Sequence, residues 1–427
     1  MAFDTLGLKE WIVKQVSTVG YRTPTPVQVN CIPPILQGKD CIGCAKTGSG
    51  KTAAFALPIL QKLAEDPHGL FALVLTPTRE LAYQIADQFR VFSRPMNYKD
   101  CVIVGGVDMM KQSLELAKQP HIVIATPGRL AGHLQTAHSI SLKKIKFLVL
   151  DEADRLLDAS FAEDLRVIFD SMTKERQTLF FSATLSDSLN RLQQLAVNKP
   201  FCWQAPLDSV TVELLDQKYV LVPAKVKDCY LINILQTLHD EEEKTLILFT
   251  NSCRNCHVLT LLLKTLGFSC TCLHSLLSQG ERLASLAKFR SKKTRMLVCT
   301  DVASRGLDIP SVHVVINTNV PASPKDYVHR VGRTARAGRD GVAITLVTQY
   351  DIQRLHNIES HIKTRLEEYH VSEHKALKHI NLITITRREV ELKLSQSNFG
   401  ENRKLHFTKR KLLEAKKLKK QPKKKEQ

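Results

Sequence analysis

The sequence predicts two tandem α/β domains, each a doubly wound parallel sheet, followed by a helical and basic C-terminal extension. Three observations predict this. From Asp40 onward, short continuous apolar runs alternate with amphipathic helical segments, the mark of parallel strands buried on both faces. The alternation stops at Asn198–Gln217, a stretch with two prolines and no clear period, and then restarts. A chain of 427 residues is also too long for one ordinary core.

The elements follow in order. "CIGCA", opening at Cys41, reads as a strand with a helix starting near Gly50. "FALVLT" (Phe71–Thr76) is a strand with a helix from about Arg79. "CVIVGG", "HIVIAT", "FLVLDE" and "TLFFSAT" repeat the pattern, each with a helical segment behind it. In the second half the strands are "KTLILFT" (Lys244–Thr250), "FSCTCLHS", "RMLVCT" (Arg295–Thr300), "VHVVIN" and "GVAITLVT". Tyr350 to about Asn398 reads as helical and charged. The last 25 residues lack the apolar content for a core and are expected to be disordered or to fold only on binding. The expected division is 1–205, a linker at 206–217, 218–365, and a helical and basic tail at 366–427. No internal sequence repeat is evident, although the halves share an architecture.

Composition narrows the function classes. No apolar stretch reaches the 18 or so residues of a membrane span. "MAFDTLGLKEW" has neither the basic flank nor the apolar core of a secretory signal, so an intracellular protein without membrane association is expected. The net charge is +19; Arg403–Gln427 holds twelve Lys/Arg and two Glu, hence +10, leaving +9 on the rest. A basic body with a basic tail points to a polyanion such as nucleic acid; a merely lysine-rich surface is the bland alternative. Of eleven cysteines, Cys41/Cys44 and Cys253/Cys256 have C-x-x-C spacing. Zinc is one reading of them. Buried intracellular thiols are favoured, because the first pair lies on a strand and the second has no matching pair nearby.

"AKTGSGKT", Ala45–Thr52, lies between a strand and a helix, the context of a phosphate-binding loop. Glycines let backbone N–H groups face phosphate, and the helix N-terminus adds its dipole. Lys51 can reach the β- and γ-phosphates, and the Thr52 hydroxyl can ligate Mg²⁺. Ala45 stands where the strict pattern has glycine. Downstream, "FLVLDEADR" puts Asp151 and Glu152 at the C-terminal end of a strand, where ligands of open α/β sheets bind. One carboxylate there can hold Mg²⁺ and the second can activate water; an acidic helix start is the alternative for either alone. Near the chain's end "YVHRVGRTARAGRDG" packs Arg330, Arg333, Arg336 and Arg339 within ten residues. Such forks suit phosphate, whether of a nucleic-acid backbone or of a nucleotide.

"DEAD" (Asp151–Asp154), with about ten other short motifs in family order, resembles the DEAD-box ATP-dependent RNA helicases over Phe3 to about Thr348. The others are "GYRTPTPVQ", "AKTGSGKT", "PTREL", "GG", "TPGRL", "SAT", "ILFTN", Gln279-x-x-Arg282, "TDVASRGLDIP" and "HRVGRTARAGR". The resemblance implies two RecA-like domains, ATP and Mg²⁺ as cofactors, and RNA as a sequence-tolerant partner. It makes 3–28 an adenine-reading segment in which Phe3 stacks on the base and Gln28 reads it. A side-chain amide donates and accepts, which matches adenine and not guanine; for Phe3 an N-terminal core anchor is the other reading. Ala45, Thr47, Gly48, Ser49, Gly50, Lys51 and Thr52 would hold the phosphates, with Thr52 and Asp151 on the metal and Glu152 activating water. Arg333 and Arg336 would be arginine fingers on the γ-phosphate, and Asp308 would share that site.

By the same resemblance Pro77, Arg79, Gly106, Thr126, Pro127, Gly128, Arg129, Gln279, Arg282, Thr300, Arg305 and Gly306 contact RNA. Asp154, Ser182, Thr184, His329 and Arg330 would couple hydrolysis to unwinding, His329 and Arg330 by reaching the first domain's carboxylates. A helix N-cap is the other reading for Thr184, and a structural hydrogen bond for His329. ATP and RNA would bind cooperatively through one conformational change. Departures are Ala335 for glycine, Ser275 for glycine, and "NTNVP" (Asn317–Pro321) for a Tyr-Asp pair. The expected function is RNA-stimulated ATP hydrolysis coupled to duplex unwinding or RNP remodelling. Two alternatives are an ATP-gated RNA clamp and a duplex-DNA motor. The lysine-rich C-terminus resembles nucleolar members acting in pre-rRNA processing and small-subunit assembly. A monomer with an activating protein cofactor is expected.

Overall fold

The computed structural model describes residues 2–45, 48–136, 141–182, 199–205, 215–239, 244–301, 309, 312–335, 340–396 and 399. The chain divides into two compact units, the first ending at Leu207.

In the first unit, helices α1 (Glu10–Thr18) and α2 (Pro26–Leu36) precede strand β1 (Cys41–Cys44) and helix α3 (Lys51–Glu65). Then come β2 (Ala72–Leu75), α4 (Arg79–Phe92), β3 (Asp100–Ile103), α5 (Met109–Ala117), β4 (Ile122–Ala125) and α6 (Pro127–Thr136). β5 (Phe147–Asp151), α7 (Ala153–Leu156), α8 (Ala162–Asp170), β6 (Gln177–Ser182) and β7 (Phe201–Gln204) complete it. The sheet order is β3-β4-β2-β5-β6-β1-β7, with every pair parallel. Period two divides each apolar run between two cores. Ala72 and Val74 enter one cluster with α2, α3 and α4, while Leu73 and Leu75 enter another with α6 and α8. Phe3 is buried in the first of these clusters.

The second unit runs β8 (Leu215–Leu221), α9 (Lys227–His239), β9 (Leu246–Phe249), α10 (Cys253–Thr265), β10 (Cys270–Leu273), α11 (Gln279–Arg290) and β11 (Met296–Cys299). It continues with β12 (Val314–Asn317), α12 (Pro324–Val331), β13 (Gly341–Val347), α13 (Ile352–Ile362), β14 (Glu367–Glu368), α14 (Glu373–Leu377) and α15 (Ile380–Gln396). Its order, β10-β11-β9-β12-β13-β8-β14, is the first sheet's with every number raised by seven. Both halves therefore carry one topology, the doubly wound fold read from the alternation.

Two boundaries differ from the expected division. β8 starts at Leu215, inside the stretch read as linker, because Leu215–Leu221 pairs with Gly341–Val347 along seven residues. Residues 366–396 belong to the second unit and not to a tail: Leu366, Ala376, Ile383, Val390 and Leu394 are buried in its cores. Among the described residues no helix is long and apolar enough to cross a membrane.

Candidate nucleotide and nucleic-acid sites

The first sheet sorts the motifs by strand position. Adjacent strands β5, β6 and β1 carry "DEAD", "SAT" and the phosphate loop at their C-terminal ends. Adjacent strands β3, β4 and β2 carry "GG", "TPGRL" and "PTREL". One half of one sheet edge is thus a nucleotide site and the other half a separate polar face, as the crevice rule for open sheets requires.

In the nucleotide half, Gly48 and Gly50 have φ of +83° and +88°, a region where a side chain is strained. Gly50 then caps α3, so its first residues, Lys51 and Thr52, stand at a helix N-terminus. A Cβ on Gly50 would also collide with the Gln28 amide. Gln28 is fully buried: its Oε1 accepts from Thr25 N at 2.9 Å, and its Nε2 donates to Gly50 O at 3.1 Å. The adenine-reading segment is therefore tied directly to the phosphate loop. One N–H and one lone pair of that amide remain for a base.

Lys51 Nζ donates to Ala45 O at 2.6 Å. Burial holds its pKa below the usual lysine range against the pull of Asp151, Glu152 and Asp154. Asp151 ends β5 with 5% exposure, and burial raises its carboxyl to about 6, against Lys51 and the Glu152 N–H. Glu152 caps α7 in the left-handed region, φ +52°, and its N–H donates to Asp151 Oδ1 at 3.1 Å. A non-glycine residue held at positive φ is strained, and such strain clusters at functional sites. Asp154 Oδ1 accepts from Arg155 N. Ser182 ends β6, buried, and its carbonyl accepts from Ala45 N at 3.1 Å. Thr52 and Asp151 are oxygen donors of the kind a hard divalent cation takes, and the desolvated Asp151 is the charge it would compensate; the donor set fits Mg²⁺. Thr47 and Thr184 lie outside the described residues.

In the other half, Arg79 opens α4 behind its Thr78 cap. Its guanidinium lies against Gly105 and Gly106, where a Cβ on either residue would press on it. Gly106 also needs φ +83°. Burial lowers the Arg79 pKa, helped by the nearby Arg129. Arg129 Nε donates to Val104 O at 3.1 Å, and a second N–H goes to Val107 O, so this arginine braces the glycine loop. Thr126 O caps α6 by accepting from Arg129 and Leu130 N–H, with Pro127 and Gly128 in its first turn. Pro77 precedes the Thr78 cap. The structure brings all seven of these residues to one half-edge.

Residues 25–192 match the DEAD/DEAH box helicase family, and residues 227–338 the helicase conserved C-terminal domain. The chain belongs to the DEAD-box RNA helicase family. It is 57% identical over 418 residues to the human protein named probable ATP-dependent RNA helicase DDX49, covering 97% of this chain and 86% of that one. It is 46% identical to the ATP-dependent RNA helicase dbp8 of Schizosaccharomyces pombe, over 96% of this chain and 92% of the relative. Among solved structures, Mss116p bound to single-stranded RNA and AMP-PNP superposes with a TM-score of 0.80 at 28% identity, covering 94% of this chain and 87% of that one. S. cerevisiae Dbp5 bound to RNA and ADP BeF3 gives 0.77 at 26%, covering 91% and 99%. The protein is an RNA-dependent ATPase, an ATP-dependent RNA helicase built on two RecA-like domains.

The helicase's second unit presents its motifs likewise at strand ends. Gln279 opens α11 behind a capping box made by Ser278 and Glu281; Gln279 and Arg282 are both buried. Thr300 follows β11, its N–H donating to Leu273 O. Arg330 is paired within its own unit. It is 1% exposed and grips Asp301 of its own unit bidentately, at 2.6 and 2.9 Å. It also donates to Asn317 Oδ1 and Asn319 O, and its guanidinium lies over the Phe249 ring at 5.3 Å. A guanidinium so fully occupied organises its own unit. Asp301 was missed from sequence although it lies inside "TDVASRGLDIP"; an acidic residue next to a phosphate-contact threonine was the available signal.

"NTNVP" gains its meaning here: Asn317 and Asn319 are the carbonyl partners of Arg330, and Thr318 Oγ1 donates to Phe249 O at 2.8 Å. Arg333 is buried in the same unit, where its charge and that of Arg330 pull against the burial-raised pKa of the Cys299 thiol. His329 lies in the last turn of α12. Arg305, Gly306, Asp308 and Arg336 lie outside the described residues.

Proposed function

We propose that the nucleotide half of the first sheet hydrolyses ATP with Lys51 on the phosphates and Glu152 as the base that orients and deprotonates water. Thr52 and Asp151 hold Mg²⁺, which neutralises charge on the phosphate oxygens. Gln28 reads adenine beside Phe3, and the backbone from Ala45 and Thr47 through Gly48, Ser49 and Gly50 cradles the phosphates. In the ATP- and RNA-bound state Arg333 and Arg336 stabilise the charge developing on the γ-phosphate, with Asp308 at the same site. Arg79, Gly106, Gly128 and the Thr126 turn meet RNA phosphates in one domain; Gln279, Arg282, Thr300, Arg305 and Gly306 do so in the other. Asp154, Ser182, Thr184 and His329 couple the two events.

The observation that carries this is the grouping of Lys51, at the helix start after β1, with Asp151 and Glu152 at the end of β5, Asp151 being buried and Glu152 held at positive φ. The enzyme acts as a monomer with an activating protein partner, on pre-rRNA in small-subunit assembly, in the nucleus and nucleolus. The +10 tail supports that placement.

The test is steady-state ATP hydrolysis with no nucleic acid, with single-stranded RNA and with matched DNA. RNA alone is expected to stimulate, and Glu152→Gln to lower the stimulated rate at least ~100-fold while ATP still binds. A wild-type rate equal to that of Glu152→Gln under every condition would replace the ATPase reading with the RNA clamp.

A further inference from the structure

Beside the turn that leads into Gln279 and Arg282, one face of the second sheet gathers soft ligands. Successive strand residues point to opposite faces, so Cys272 on β10 and His274 just after it share the face on which α10 packs. His257 lies in the second turn of α10, above them. The ligand atoms of His257, Cys272 and His274 all lie within 4.8 Å of one another. His257 Nδ1 and His274 Nε2 are 3.2 Å apart. That separation serves an N–H···N hydrogen bond. It is also close to the spacing of two imidazole nitrogens on one tetrahedral zinc, about 3.3 Å from Zn–N distances near 2.0–2.1 Å. Among the described residues His274 is 1% exposed, and its buried Nδ1 has no hydrogen-bond partner.

We propose that His257, Cys272 and His274 form a transition-metal site of the zinc class, with two imidazoles, one thiolate and one coordination position left open. The surroundings suit it. The Phe399 ring lies 5.0 Å from the His257 ring and 6.0 Å from that of His274, an apolar cover that limits water. Binding breaks the Cys272 S–H bond and forms a metal–sulfur bond, and the proton goes to solvent. The site differs from the C-x-x-C reading of the sequence: Cys256 points into the sheet, its Sγ donating to Val298 O at 3.3 Å, while Cys253 Sγ meets Ser275 Oγ at 3.2 Å. With three protein ligands and not four, the metal is held more loosely than in a closed structural site. It would fasten α10 to the turn that leads into Gln279 and Arg282.

The experiment titrates the purified full chain with Co²⁺, without ATP or Mg²⁺, and follows the thiolate-to-cobalt charge-transfer band. One saturable equivalent is expected, displaced by Zn²⁺, with Zn²⁺ raising the melting temperature. Cys272→Ser loses the band and the Zn²⁺-dependent shift. His257→Gln, a milder change at a part-exposed position, weakens Co²⁺ binding by about tenfold or more. Cys202→Ser, an exposed thiol in the first unit, leaves both readouts as in wild type. The site is overturned by the absence of a saturable band in wild type, or by a band that survives in a Cys272→Ser protein whose circular dichroism is native.

Discussion

At the scale of single residues, two positions in the second unit carry a cost that can be measured. Lys227 opens α9, and burial lowers its pKa to about 8, with Asp351 pulling the other way. The unfolded chain holds this proton up to about 10.4. The folded state therefore bears the cost of a desolvated charge below pH 8 and sheds it as pH rises from 8 to 10.4, because it releases the proton first. Lys227→Met is expected to stabilise the second unit by roughly 1–2 kcal/mol at pH 7, after discounting for the residue's contact with solvent. Denaturant unfolding at pH 7 and pH 10 checks it: the gain should shrink at the higher pH, and a gain independent of pH would show packing to be its source. Ala335 has φ +53°. A methyl there costs about 1 kcal/mol that glycine avoids, partly offset by glycine's larger unfolded-state entropy. Ala335→Gly should add about 0.5 kcal/mol and raise the melting temperature slightly. A lower one would mean that the surrounding turn tolerates the methyl.

Elements show what was legible and what was not. Continuous apolar runs marked the strands with buried faces, such as "ALVL" and "LILF", because burial on both faces leaves no room for polar residues. Two edge strands, β7 and β14, escaped, as did the start of the interior β8: β7 is short and half exposed, and β14 is two glutamates. Helices α14 and α15 were visible as helices, but not their docking, since their buried side is the thin stripe of Ala376, Ile383, Val390 and Leu394. In the candidate site, motif order marked Asp151, Glu152 and the glycines that the fold brings to the C-terminal ends of the strands, while the pairing of Arg330 was hidden because its partner Asp301 is 29 residues away. The glycine loop after β3 is the element whose role can be isolated. Gly106→Ala meets both a positive φ and the Arg79 guanidinium, whereas Gly267→Ala meets a φ of +90° and open space. Both should lose about 1–2 kcal/mol of stability. Only Gly106→Ala should raise the RNA concentration for half-maximal ATPase, by roughly tenfold, the order of one lost charge-assisted contact, with ATP affinity unchanged. Equal RNA dependence in the two variants would remove Arg79 from the RNA face.

At the scale of the whole molecule, one topology occurs twice and holds nucleotide once. α3 and α9 both begin with lysine after the strand at the same place in the sheet order, β1 and β8. Yet the turn between β8 and α9, Val222–Val226, contains a proline and no glycine. Its backbone cannot turn N–H groups onto a phosphate as Gly48 and Gly50 allow. The charge is divided as unevenly. The +10 of Arg403–Gln427 lies outside every motif, and a polycationic segment adds affinity for RNA by releasing counterions, without base contacts. Deleting residues 403–427 should therefore weaken RNA binding most at low salt and leave the RNA-saturated kcat unchanged. If the tail engages about five phosphates, the slope of log affinity against log salt should fall in magnitude by about 3–4 for single-stranded RNA. Titrations of both proteins with labelled RNA from 50 to 300 mM salt give the two slopes directly. Parallel lines would assign the tail to address and not to tethering, because a segment that neutralised phosphates could not be removed without changing the slope.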